Sequence, residues 1–185
     1  PLGLLTRNDN REINWIANDL EDNWFLKAGM GAYPLEEVQD NWFDLGGFYK
    51  VQPYYARITE LYAHNDDVKP FIRSYFNAIP TLISRENLTF WEHFNNRGGW
   101  NKTHETGWFL AQTRLMFIME RGNNELWLAP FVTNHWMQDG MIVGIKQAPT
   151  VFGEVDYTIT SHIRDGYIEA EITPPVRKKP DEIVI

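Results

Sequence analysis

Residues 89–121 read TFWEHFNNRGGWNKTHETGWFLAQTRLMFIMER, and the reading of this stretch decides the fold. Thr103 has the side chain of a helix cap. After it Trp108, Phe109, Leu110, Ala111, Leu115, Met116, Phe117, Ile118 and Met119 leave almost no polar face. That pattern predicts a long helix buried on most sides, as in an inner layer of helices. At Gly122 Asn123 Asn124 the apolar period changes from about 3.6 residues to about 2, which predicts a boundary there. The expected organisation is a helical domain over 1–122 and a β domain over 123–185.

The same stretch gathers ionisable groups. Phe90 Trp91 Glu92 His93 Phe94 precedes the helix, and His104 and Glu105 fall in its first turn beside Trp108. Two carboxylates and two imidazoles among aromatic rings make a composition that a plain core avoids, because buried charge is costly unless paired. The positive end of the helix dipole supplies a purely structural reason for an acid at Glu105. Both readings stand at the level of sequence.

Upstream, Asp9 and Glu12 have capping-box spacing, and Ile13, Ile16, Ala17, Leu20 and Trp24 then recur on one face of a first helix. From Leu35 to Gln52 the pattern is irregular. Trp42 Phe43 Asp44 Leu45 Gly46 Gly47 Phe48 Tyr49 sets aromatics around paired glycines, where Asp44 is placed either to hold a ligand hydroxyl or to cap backbone amides of a tight turn. Pro53 opens a helix with Tyr54, Tyr55, Ile58, Leu61 and Tyr62 inward. Asp66 or Asp67 caps the next, which tolerates Pro70 in its first turn and runs through Phe71, Ile72, Tyr75, Phe76 and Ile79 until Pro80 kinks or ends it. Two helices joined by so short a turn form a hairpin.

Downstream, everything reads as strand. Leu126–Ala129 is one short run, and Met141–Ile145 is another after the Asp139 Gly140 turn. Val155, Tyr157 and Ile159 alternate with polar neighbours. Asp165 Gly166 is a hairpin turn, after which Ile168, Ala170 and Ile172 alternate with Glu169, Glu171 and Thr173. Pro174 Pro175 begins a linker, and Glu182–Ile185 closes as a final strand. The predicted class is α+β: N-terminal α-helical hairpins followed by a small antiparallel β-sheet or sandwich domain.

Composition bounds the chemistry. The 185 residues are 43% hydrophobic and 15% aromatic, with eight Trp, enough for a core and for an aromatic cleft that stacks planar or sugar-like ligands. A formal net charge of -8, with Arg177 Lys178 Lys179 the longest basic run, argues against nucleic-acid binding. No segment approaches the roughly 20 apolar residues of a membrane span, and no leader precedes the first helix, so a soluble chain or piece is expected. Zero cysteines exclude disulfides and thiolate metal sites and leave the compartment open, secreted and periplasmic settings included. Asn87 Leu88 Thr89 and Asn101 Lys102 Thr103 fit the glycosylation pattern. A start at Pro1 without Met suits a processed, tagged or excised segment. No Gly-rich phosphate loop, serine nucleophile elbow or His pair at metal-binding helical spacing is present, so neither cofactor nor metal is expected.

The order of motifs resembles the C-terminal end of the helical-toroid glycoside hydrolases. The resemblance rests on Thr89–Phe94, on Lys102–Phe109, on Leu126 Trp127 Leu128 Ala129 Pro130, and on Asp139 Gly140 with Ala148–Gly153. It implies an (α/α)6 toroid of helical hairpins ending in an antiparallel β domain, of which this chain supplies the last part. It also implies action on a polysaccharide or oligosaccharide by carboxylate acid/base chemistry. Such hydrolysis needs one carboxylic acid to protonate the leaving oxygen and a second carboxylate as base or nucleophile. Glu92 is the first candidate acid and Glu105 the second, with Asp44, Trp91, His93, His104 and Trp108 as sugar-binding residues. A neighbouring tryptophan would raise the carboxyl pKa and stack a ring. Expected partners are a carbohydrate ligand and either the rest of a parent chain or further copies of this one. Binding a glycan without cleaving it, or a purely structural C-terminal role, remain alternative readings.

Overall fold

The computed structural model describes residues 11–20, 58–84, 86–90, 103–122 and 124–185. The chain divides into two compact units, Pro1–Gln112 and Thr113–Ile185. Four helices and six strands are described, an α+β arrangement: α1 Arg11–Leu20, α2 Ile58–His64, α3 Val68–Leu82, α4 Thr103–Phe117, β1 Ile118–Arg121, β2 Glu125–Leu128, β3 Ile142–Thr150, β4 Gly153–His162, β5 Tyr167–Thr173 and β6 Glu182–Val184.

In the first unit, α2 and α3 pack together across a tight turn. Asp66 takes a left-handed backbone there, with φ of 64°, and the Asp67 N–H donates to the Tyr62 carbonyl at 2.9 Å. Tyr62, Ala63, Phe71 and Tyr75 are buried in this pair, and the Thr59 hydroxyl donates to Ser74 Oγ at 2.9 Å. These two buried hydroxyls are thus matched, which spares them the desolvation cost of an unpaired group. Pro70 sits in the first turn, where its missing N–H has no helical partner to lose. The helix does not end at Pro80 but runs on to Leu82, and the Ile83 N–H closes it on the Ile79 carbonyl at 3.2 Å. Asp9, Trp24 and Pro53 lie outside the described residues.

The long helix expected through Arg121 stops at Phe117. Ile118–Arg121 instead forms β1, paired antiparallel with β2 in the register Ile118 to Leu128 and Met119 to Trp127. The reason lies in burial on both sides: Ile118 and Met119 point to opposite faces of a strand, and both are buried. Nor is α4 apolar on all buried sides. Its Leu110 is 62% exposed, while Glu105, Gln112 and Met116 fall on the buried stripe at i, i+7 and i+11.

The second unit contains two three-stranded sheets, ordered β1-β2-β6 and β3-β4-β5. They share one apolar cluster: Ile118, Leu126 and Leu128 from the first, Ala148, Val155, Tyr157 and Ile159 from the second, and Phe152 from the turn between β3 and β4. β4 alternates buried and less buried residues along its length, as the Val155, Tyr157, Ile159 spacing predicts. One ladder departs from the antiparallel expectation. β6 runs parallel to β2, with Leu126 opposite Ile183, an arrangement open to it because the chain between them is long enough for a crossover. Arg114 ties the junction of α4 and β1 to the β3 end, giving Glu120 two hydrogen bonds of 3.0 Å and the Pro149 carbonyl one of 2.8 Å.

Candidate functional site

The ionisable residues that drew attention in the sequence fall partly within the described structure. Asp44, Trp91, Glu92 and His93 lie outside it, while His104, Glu105 and Trp108 occupy the first two turns of α4. These three belong to the first unit, and only residues of that unit bear on the site.

Glu105 is completely buried, and its Oε1 lies 3.1 Å from Nε2 of His104, whose side chain is 40% exposed. The carboxylate therefore stands behind an imidazole that reaches solvent. Its place in the first helical turn adds the favourable end of the helix dipole to that pairing. The approach is an ion-pair contact that attracts when the imidazole carries a proton, and the exposed side of the ring is left to meet a ligand.

The same helix also contributes to an aromatic cluster. Phe90 is fully buried and packs against Ile83, Trp108 and Phe109. The Phe109 ring centre lies 4.4 Å from that of Phe90 and 5.2 Å from that of Tyr75, the latter pair nearly parallel at 13°. Such offset stacking adds to the burial of each ring. The 84–90 turn brings Phe90 there: Ser84 donates to the Thr89 carbonyl at 2.7 Å, Ile83 bridges Phe90, and the Phe90 N–H reaches Thr106 Oγ1 at 3.4 Å. The turn also holds Thr89 Oγ1 against Asn87 Oδ1 at 2.6 Å.

No family model, curated protein or solved structure matches this chain. The site therefore has to be read from its own chemistry. Among the described residues no group of three or more His, Asp or Glu is placed to hold a metal, and no helix is long and apolar enough to cross a membrane. What the arrangement offers is a half-exposed imidazole with a buried acid behind it, next to a partly buried tryptophan.

One residue of this helix was not singled out by sequence reasoning. Gln112 is buried on the same helical face as Glu105, and its Oε1 accepts no hydrogen bond among the described residues. The spacing of seven residues is the signal that joins them, since i and i+7 share a helix face. It is masked in the sequence by the run of large apolar residues on either side of Gln112.

Proposed function

We propose that this chain is the C-terminal part of a carbohydrate-active protein of the α/α-toroid glycoside hydrolase type, in which helical hairpins precede the β domain. The observation that carries the reading is the buried Glu105 carboxylate held against His104 beside Trp108. Hydrolysis of a glycosidic bond takes two carboxyls, one protonating the leaving oxygen and one acting as base or nucleophile. Glu92 is the proposed acid and Glu105 the proposed second carboxylate. Trp91 and Trp108 offer faces for a sugar ring, while Asp44, His93 and His104 offer polar groups to its hydroxyls. A toroid of this type has six helical hairpins, so the rest of a parent chain, or further copies of this one, completes the cleft.

A second reading is favoured by the zero exposure of Glu105, because a group that exchanges a proton with substrate has to come within hydrogen-bond reach of it. In that reading the glycan is bound and not cut, and Glu105 acts through His104. The full-length parent carrying Glu92→Gln or Glu105→Gln separates the two. For hydrolysis, each substitution lowers kcat on a polysaccharide panel about 100-fold or more while the protein stays folded. Unchanged turnover in both variants excludes the enzymatic reading. If His104→Ala then abolishes glycan-induced tryptophan fluorescence change, binding without cleavage takes its place.

A further inference from the structure

Among the described residues the second unit leaves one long, regular sheet edge open, and its chemistry specifies what fits there. β5 pairs with β4 along its whole length, from His162 opposite Tyr167 to Asp156 opposite Thr173, and is the outer strand of its sheet among the described residues. Alternate backbone N–H and C=O groups of an outer strand point away from its single partner and present a template for another strand. The other edges of this unit are blunted. β3 is interrupted by a bulge between Ile145 and Ala148 and carries Pro149, whose ring removes a donor. β1 has four residues and β6 three. β5 runs seven residues with no bulge, glycine or proline before Pro174.

Its side chains are as open as its backbone. Tyr167 is 52% exposed and Ile168 44%, and Ala170 is also exposed although it shares the sheet face of the buried Ile159 and Val143. Glu169 and Glu171 lie on the opposite face, both exposed. A second copy of β5 is a poor occupant. Antiparallel pairing that keeps the faces matched sets the Glu169 and Glu171 row of one copy beside the same row of the other, and like charges opposite one another are unfavourable.

We propose that the outer edge of β5 is a strand-addition site for an extended segment of a partner protein in which Lys or Arg alternates with an aliphatic residue. The basic residues lie beside Glu169 and Glu171, the aliphatic ones continue the Ile168 and Ala170 row, and the main chain supplies the hydrogen bonds.

Fluorescence anisotropy tests this on the full chain with a labelled acetyl-Lys-Val-Lys-Ile-Lys-Val-amide probe. The probe binds saturably, and E169K/E171K weakens it about tenfold or more while tightening a Glu-Val-Glu-Ile-Glu-Val probe by a similar factor. Because any acidic surface attracts a cationic peptide, the deciding arm is the same basic probe methylated on alternate backbone nitrogens. It keeps every charge but cannot join the ladder, and its binding is expected to be lost. Equal binding of the methylated and unmethylated probes overturns the proposal, as does indifference to charge reversal in a variant whose circular dichroism is unchanged. Self-association of the chain that the basic probe competes away assigns the edge to a second copy and overturns it equally.

Discussion

Tyr157 shows how a single buried hydroxyl couples the second unit to pH. Its ring lies in the apolar cluster and its hydroxyl donates to the Phe117 carbonyl at 2.5 Å, which also accepts the Ala129 N–H at 2.8 Å. Burial pushes the phenol up from 10.0 to about 12, and a backbone hydrogen bond with Ala129 works against that rise to a lesser extent. The folded state therefore holds the proton more tightly than the unfolded chain between those two values. Stability is full below pH 10 and is lost as pH rises toward 12, by an amount of order 2 kcal/mol. Tyr157→Phe is expected to cost about 1 kcal/mol at neutral pH through the lost hydrogen bond, yet to flatten the alkaline decline. Urea unfolding of both proteins at pH 8 and pH 11 checks this. An equally steep decline in the variant would show that other groups carry it.

At the scale of elements, β3 illustrates what packing demands of one position. A Cβ at Gly144 would stand 2.5 Å from the Tyr157 carbonyl oxygen, a main-chain atom held by the ladder. Gly144→Ala is therefore expected to destabilise by about 1–3 kcal/mol, as overpacking does, measured as a shift of the denaturant midpoint with the slope unchanged. A variant as stable as the parent would mean that the two strands separate at no cost. The strand itself was legible, since Met141–Ile145 is a short apolar run between turn signals, and β4 was legible from its alternation. The bulge was not. It places Gln147 in a left-handed backbone with φ of 52°, and what holds it is the Asp156 carboxylate on the neighbouring strand, which accepts the Gln147 N–H. No pattern local to Gln147 announces a partner nine residues on. β1 was illegible for a different reason: Ile118 and Met119 continue the apolar run of α4, and only pairing with β2 distinguishes a four-residue strand from one more helical turn. The parallel placement of β6 likewise depends on a partner far along the chain. At the candidate site the sequence marked His104, Glu105 and Trp108 as a group, but full burial of Glu105 beside an exposed Leu110 follows from packing, which periodicity in so apolar a helix does not orient.

For the molecule as a whole, the decisive property is that each unit holds apolar residues of its own. The first buries Tyr62, Phe71, Tyr75 and Phe90, and the second buries Phe152, Val155, Tyr157 and Ile159. Each also has a buried hydroxyl that can be removed with little change of shape. Ser74 accepts from Thr59 and donates to the Phe71 carbonyl at 3.1 Å, while Tyr157 donates to Phe117. Deleting either hydroxyl is expected to cost about 1 kcal/mol, which speeds amide exchange about fivefold wherever exchange requires the affected unit to open. Ser74→Ala should therefore raise exchange rates across α2 and α3, and Tyr157→Phe across β3 and β4, each leaving the other set within error. Hydrogen exchange resolved by mass spectrometry on the two variants reads this directly. Uniform acceleration in both sets by either substitution would show that the chain opens only as one cooperative body, and the two units would then be a feature of geometry without an energetic counterpart.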